Sequence, residues 1–476
     1  MPSQARASSR REWLIGAATA MSPSGTSAQT AGAARRPNIV LIISDQFRWD
    51  CVGAMGLNPM GLTPNLDAMA SRGVLFRSAF CSQPVCAPAR ASIFTGQYPS
   101  RHGVWKNGLG LAQNAITLAT ALRAQGYSAN YIGKWHLAPG TRPNELGPVP
   151  PANRGGFLDL WQASNVLELT SHPYEGDLYD GDGKPIHFSG QYRADFMTGL
   201  AQQFLRSAQT PFLLAVSYLE VHHQNDTDTF DPPREYAHRY PNPFIPHDLR
   251  PYPGSWPSQI GDYFACVAKV DDAVGAIRKT LAETGLERNT ILAFVSDHGN
   301  HFKTRNSEYK RSPHDSSTHI PLIVAGPGFD RAVQIPELVS QVDVTPTLLD
   351  AAGFAIPDSM QGHSLRPLLD RRTERWRDEV YFEMSEFVTG RGLRTPQYTY
   401  AVMAPKQPGW HGVPAADRYV EYVLYDNYAD PYQHVNLAGR EPYRKIAEEL
   451  RQRLIERIYE AGGVRPIIEP SWFPYS

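Results

Sequence analysis

The sequence predicts an α/β protein: a large doubly wound mixed sheet flanked by helices, followed by a smaller C-terminal α+β subdomain. Three observations predict it. Continuous apolar, β-branched runs recur along the chain, and such runs suit strands covered on both faces. Helical patterns lie between them, which is the alternation of a doubly wound sheet. After about residue 365 the runs become short and alternating, as in an antiparallel sheet.

Taken in order, the first strand is Asn38 to Ser44, Asn-Ile-Val-Leu-Ile-Ile-Ser. Phe212 to Tyr218, Ile291 to Val295 and Ile320 to Val324 have the same character. Thr63-Pro64 places a capping residue before a proline at the first helical position, and Gly73 closes that helix. Ile116 to Ala124 ends at Gln125-Gly126, a C-terminal stop signal. Tyr263 to Leu281 carries apolar residues at helical spacing and stops near Gly285; Val344 to Ala352 ends at Gly353. Beyond residue 365, Tyr398 to Met403 and Tyr419 to Tyr425 alternate. Ala447 to Tyr459 is amphipathic, with Leu450, Leu454 and Ile458 on one face. The expected divisions are 1–34 N-terminal segment and linker, 35–370 large α/β domain and 371–476 C-terminal subdomain.

Composition narrows the function. Lys+Arg is 46 and Asp+Glu is 47, so no global basic field exists to hold nucleic acid. Four cysteines in 476 residues cannot form a disulfide scaffold, so each is read individually. No apolar run approaches the 18 or more residues of a spanning helix. The N-terminal segment is rich in small residues and carries Ser9-Arg10-Arg11-Glu12-Trp13-Leu14 before a short, weakly apolar stretch. It resembles a bacterial twin-arginine export signal, which implies a periplasmic or secreted protein exported after folding.

Chemistry-bearing residues lie at strand ends. Asp45-Gln46 closes the first strand, and Asp297-His298 closes the strand ending at Ser296. Brought together, two carboxylates, an amide oxygen and an imidazole suit a divalent cation. Between them in the chain stands Cys86-Ala87-Pro88-Ala89-Arg90, followed by Thr95-Gly96. Phe80-Cys81-Ser82-Gln83-Pro84-Val85 precedes it, and Tyr98-Pro99-Ser100-Arg101-His102-Gly103-Val104 follows.

These residues resemble the signature of the formylglycine-dependent sulfatases, members of the alkaline-phosphatase superfamily, in which Cys-x-Pro-x-Arg marks the catalytic cysteine. The resemblance covers most of the chain. Gly133-Lys134-Trp135-His136 matches a Gly-Lys-x-His block. Ser217 to His222 aligns with Ser-x-x-x-Pro-His, although Val221 replaces the proline and His223 follows, so His222 and His223 compete for the role. Lys310 to Asp315, Val342 to Leu349 and Leu424-Tyr425-Asp426 match further blocks.

The resemblance implies a sulfuric ester hydrolase. Cys86 would be converted by a maturase to formylglycine (3-oxoalanine), whose hydrate attacks sulfur. Asp45, Gln46, Cys86, Asp297 and His298 would hold one divalent metal: Ca²⁺ as usual in the family, with Mn²⁺ or Mg²⁺ as alternatives because an imidazole is a softer ligand than an amide oxygen. Arg90 would hold the hydrate, and Lys134 would bind sulfate oxygens. His222 and Lys310 would stabilise and protonate the departing alcohol, and His136 would take the proton from the second hydroxyl.

Two departures matter. Many relatives have a second Asp where this chain has Gln46, and Asn where it has His298. The set Asp-Gln with Asp-His also occurs in phosphonate monoester hydrolases of the superfamily, which lack the Gly-Lys-x-His block kept here. A phosphonate or phosphate ester hydrolase is therefore one alternative, and a catalytically dead carbohydrate-binding relative is another. The substrate is expected to be a sulfated saccharide. The long segment 225–258 holds Tyr236, Tyr240, Phe244 and Tyr252 with Arg234, His238, Arg239 and His247, groups that stack on sugar rings. A packed cover over the domain would account for the same residues.

Overall fold

The computed structural model describes residues 36–140, 145–406 and 412–471. The expected export segment lies outside them. Strands β1 (Asn38–Ser44), β2 (Val74–Phe80), β3 (Ser128–Lys134), β4 (Trp161–Ser164), β5 (Ser171–His172), β6 (Glu175–Tyr179), β7 (Pro185–Ser189), β8 (Phe212–Tyr218), β9 (Thr290–Ser296), β10 (His319–Ala325) and β11 (Val333–Ser340) build one mixed sheet. Its order is β11-β2-β10-β9-β1-β8-β3-β4-β6-β5, with β7 paired to β6. The central strands β9, β1, β8, β3 and β4 run parallel, and β10 runs antiparallel to both β9 and β2.

Every residue of β1 is buried because helices cover both faces. Ile39, Leu41 and Ile43 enter one core with the helices Cys86–Thr95, Leu118–Arg123 and Val344–Ala351. Val40 and Ile42 enter the opposite core with Pro64–Ala70, Arg193–Ser207 and Trp256–Glu283. The period-2 alternation of a strand thus feeds two helical layers.

Register then aligns the strand ends. Ser44 pairs with Tyr218 on one side and with Ser296 on the other. The carboxyl ends of β9, β1, β8 and β3 therefore open on one edge of the sheet. Since β10 is reversed, its amino end opens there too, as does the carboxyl end of β2.

The smaller sheet contains β12 (Val380–Met384), β13 (Gly390–Arg394), β14 (Tyr398–Met403), β15 (Arg418–Asp426) and β16 (Ile467–Glu469). All neighbours are antiparallel except β15 and β16. Helix Arg444–Glu460 covers it through Leu450, Leu454 and Ile458, the face expected from the sequence.

One capping expectation needs correction. Thr63 precedes helix Pro64–Ala70, but its hydroxyl makes no cap bond. The Asp271 carboxylate instead accepts from the amides of Asn65 at 2.9 Å and Leu66 at 2.8 Å. Proline at the first position leaves no amide there, and a carboxylate from a neighbouring helix satisfies the next two.

Asp343 is the buried link between the two sheets' surroundings. Its carboxylate accepts from the amides of Ser340 and His363, each at 2.8 Å, and from Arg377 at 2.7 and 2.8 Å. Asp343→Ala should cost about 3–5 kcal/mol, because it leaves a largely buried guanidinium uncompensated. The shift of the urea unfolding midpoint checks this; a change within the noise of surface substitutions would refute it.

Candidate active site

Cys86 is the first residue of helix Cys86–Thr95, and its thiol is buried at the sheet edge. Its Sγ occupies the place where a formylglycine's oxygens would stand. Lys310 donates to it from 2.9 Å, the His298 Nε2 lies at 3.3 Å, and Asp45 Oδ1 lies at 3.6 Å. Burial pushes the thiol's pKa up, but the charges of Lys310, Lys134 and His298, with His136 adding to them, outweigh it and hold the thiol well below its usual range.

The strand ends supply the surrounding groups. Asp45 follows β1, and Asp297 and His298 follow β9. One oxygen of each carboxylate is engaged by Arg90, which reaches Asp45 Oδ2 and Asp297 Oδ2 at 3.1 Å each. Arg90 also donates to Ser217 Oγ at 2.6 Å. It lies one helical turn beyond Cys86, so both face the sheet edge. Burial raises the Asp45 pKa, but Lys134, His222 and Lys310 more than offset this and the carboxylate is held far below its usual range. Burial and repulsion from Asp45 push Asp297 the other way.

Lys134 ends β3 and bonds Asp45 Oδ2 at 2.8 Å. Gly133 before it has φ +106°, and a Cβ there would meet the Ser217 carbonyl at 2.1 Å. Only glycine lets β3 lie against β8 at this point, which accounts for the Gly of the Gly-Lys-x-His block. His222, after β8, places its Nε2 3.3 Å from Lys310. His223 instead stacks on Tyr309, with ring centroids 4.2 Å apart. Of the two competing histidines, His222 is the one within hydrogen-bond distance of Lys310.

Asp45, Cys86, Asp297 and His298 offer ligand atoms within 4.8 Å of one another, all buried. The Gln46 side chain is buried with neither amide atom hydrogen-bonded. Its backbone has φ +63° and its amide donates to Asp297 Oδ1. Two carboxylate oxygens, an imidazole and an orphaned amide fit a divalent cation. His136 is also buried, and its Nδ1 has no partner.

The family model described as Sulfatase matches residues 37–354. The chain belongs to the sulfatase family. A model described as the C-terminal part of N-sulphoglucosamine sulphohydrolase matches residues 307–460. The sulfatase is 32% identical over 445 residues to the ulvan-active sulfatase of Formosa agariphila, covering 90% of this chain and 82% of that protein. It is similar to the crystal structure of the sulfatase yidJ from Bacteroides fragilis, at TM-score 0.77 and 27% identity over 92% and 98% of the two chains. It also shares its fold with a structure in complex with its substrate D-glucosamine-2-N,6-O-disulfate, at TM-score 0.72 and 22% identity over 90% and 98%. The sulfatase is thus a sulfuric ester hydrolase.

Sequence reasoning missed Glu168. It stands on the four-residue helix Leu167–Thr170, and its Oε1 accepts from Lys134 at 2.8 Å. Burial raises its pKa, but Lys134, His136 and His222 outweigh this and bring it to about 2. The folded value lies below the unfolded one, so the carboxylate stabilises the sulfatase above pH 4.5 and loses that contribution as pH falls toward 2. The stability gap between wild type and Glu168→Gln should therefore be full at neutral pH and shrink through this window. A gap independent of pH, measured by denaturant titration at several pH values, would refute the ion-pair account.

The 225–258 segment divides in two. Tyr236 bonds Asp272, and Tyr240 packs on Phe264, so this half covers helix Trp256–Glu283. Phe244, His247 and Tyr252 instead face the loop after β15: His247 packs against Tyr432, and Tyr252 against His434.

Proposed function

We propose that this sulfatase hydrolyses a sulfate ester of a saccharide, using Cys86 as formylglycine beside a bound divalent cation. The observation that carries the reading is the convergence on the buried Cys86 Sγ of Lys310 at 2.9 Å, His298 at 3.3 Å and Asp45 at 3.6 Å. The saccharide is supported by the relatives, one named for ulvan and one bound to a glucosamine disulfate.

When bound, the cation supplies Lewis acidity toward sulfate and nucleophile oxygens. The formylglycine hydrate supplies a nucleophilic oxygen and a second hydroxyl through which the aldehyde can be recovered. Asp45, Gln46, Asp297 and His298 would hold the cation. Arg90 keeps the outer carboxylate oxygens fixed and orients the residue at position 86. Lys134 is a compact charge for sulfate oxygens, kept protonated by Asp45 and Glu168. Lys310 and His222 lie together where the leaving alcohol must receive a proton. His136, with Nδ1 unpartnered, is the base for the second hydroxyl.

The reading is tested by sulfate release from ulvan oligosaccharides, glucosamine sulfates and 4-nitrophenyl sulfate, with the 4-nitrophenyl monoester of phenylphosphonate as the competing substrate. Faster turnover of that monoester would favour a phosphonate hydrolase. No turnover of any ester by protein carrying the aldehyde would favour a binding protein. Chelation should lower sulfate release by about 10²-fold or more, as for loss of a main electrostatic element. Restoring Ca²⁺, Mn²⁺ or Mg²⁺ separately identifies the ion, Ca²⁺ being the expected one. Full activity of metal-free protein would overturn the metal's role. No helix among the described residues is long and apolar enough to cross a membrane. Replacing Arg10 and Arg11 with lysine should leave precursor in the cytoplasm; an unchanged periplasmic yield would argue for another route.

A further inference from the structure

We propose that a cleft behind the catalytic loops binds an unsulfated ring of the same saccharide chain, making this enzyme selective for oligosaccharides over monosaccharide sulfates. The inference rests on the saccharide reading above. The cleft has a volume of about 160 Å³ and lies between Trp49, the segment Phe244–Asp248 and the loop carrying Tyr432.

Its walls are aromatic and its polar groups are acceptors. Trp49 is stacked on His319 with centroids 3.8 Å apart, which fixes its ring. His247 packs on Tyr432 at 5.0 Å, and Tyr432, which is 38% exposed, continues a stack to His434. Fixed, part-exposed rings are suited to the apolar face of a sugar.

The charge arrangement excludes a sulfated ring. Arg48 is the one arginine or lysine among the described lining residues. All five of its N–H donors are used, on Asp50, Asp248 and the Asn300 carbonyl. None remains for an anion. Asp50, Asp248 and Asp315 outnumber the cations they meet, Arg48 and Arg394. A sulfate would face carboxylates with no uncommitted arginine or lysine, whereas hydroxyls can donate to their remaining lone pairs. Ser316, 5% exposed, also lines the cleft, but its Oγ is buried without a partner.

The cleft adjoins the reaction centre. Arg48 is two residues past Gln46, so their Cα atoms are at most about 7 Å apart. Asn300, whose carbonyl Arg48 holds at 2.6 Å, is two residues past His298, and Asp315 is five past Lys310.

The test uses the mature enzyme and its Tyr432→Ala, Tyr432→Phe and Ser316→Ala variants. Sulfated tetrasaccharides from ulvan and heparin are compared with 4-nitrophenyl sulfate, and calorimetry measures binding of the chemically desulfated tetrasaccharides. In Tyr432→Ala, the ratio of kcat/KM for tetrasaccharide to that for nitrophenyl sulfate should fall about 10-fold, as for loss of one aromatic contact. The fall should be carried by KM, with a matching loss of affinity for the desulfated tetrasaccharide. Tyr432→Phe should restore both quantities, and Ser316→Ala, whose oxygen the cleft does not expose, should leave them unchanged. An unchanged ratio and unchanged affinity in folded Tyr432→Ala protein would overturn the cleft, as would failure of wild type to bind any desulfated tetrasaccharide. If no saccharide sulfate is hydrolysed, the substrate reading falls; the effect of Tyr432→Ala on desulfated-tetrasaccharide binding still decides the cleft.

Discussion

Cys86→Ser should lower sulfate release by about 10⁴-fold or more, the scale at which removal of a covalent nucleophile is felt. A serine hydroxyl would occupy nearly the same buried position, with Lys310 and His298 still beside it. It has only one hydroxyl, however, and so no aldehyde can re-form to expel sulfate. Any first turnover would leave the residue esterified. The variant therefore separates the formylglycine reading from one in which residue 86 is an ordinary ligand. Active wild-type protein should also show, in the peptide containing residue 86, a mass about 18 Da below that of cysteine. That is the stoichiometry of replacing sulfur and two hydrogens by oxygen, outside the usual thiol oxidation series. Wild-type rates in Cys86→Ser, or an active enzyme with unmodified cysteine, would sink the assignment.

Lys310→Ala should show a loss that depends on the leaving group. Its ammonium lies 2.9 Å from Cys86 Sγ and 3.3 Å from His222 Nε2. A nitrophenolate departs unassisted, whereas a sugar alkoxide needs a proton or a close cation. General acid assistance is typically worth about 10²–10⁴-fold. Loss of kcat/KM should therefore be larger by about that factor for a sugar sulfate than for nitrophenyl sulfate. His222→Ala should show the same ordering. Lys134→Ala should impair both substrates alike, because the sulfate is common to them. Rates should be compared at one pH with metal content measured in each variant. Equal losses for both esters in Lys310→Ala would reassign this lysine to sulfate binding or to holding residue 86.

Strands β1, β8, β9 and β10 were legible because burial on both faces demands unbroken apolar runs, as Asn38–Ser44 and Phe212–Tyr218 show. β2 and β3 were not, because Arg77-Ser78 and Ser128 and Asn130 interrupt their apolar runs, nor were the outer strands. Strands β4 to β7 are short, and β6 and β7 are only partly buried, so they lack an apolar period. β11 carries Pro336 and lies at the sheet's edge, where a proline is tolerated but hides the strand. Helix Trp256–Glu283 begins seven residues before the expected start at Tyr263, because Pro257, Ser258, Gly261 and Asp262 obscure its first turns. Of the ten expected site residues, Asp45, Gln46, Asp297 and His298 came from their places at strand ends and the other six from family blocks, and the fold brings them to one sheet edge. Glu168 had no such block and no neighbouring motif, so its role follows only from the distance to Lys134.

The burial of Cys86 has a consequence in time. Its side chain is closed in by residues as far apart in the chain as Asp45 and Lys310, and the residue is 1% exposed in the folded protein. A second enzyme cannot reach the thiol once those segments have met. If Cys86 is converted to formylglycine as proposed, its oxidation would therefore compete with folding: each chain would have one interval, between emergence of residue 86 and closure of the sheet edge, in which to be converted. Chains that missed it would fold into a sound but inert protein. Faster folding, from a stabilising substitution or a lower growth temperature, would then raise yield and lower the active fraction together.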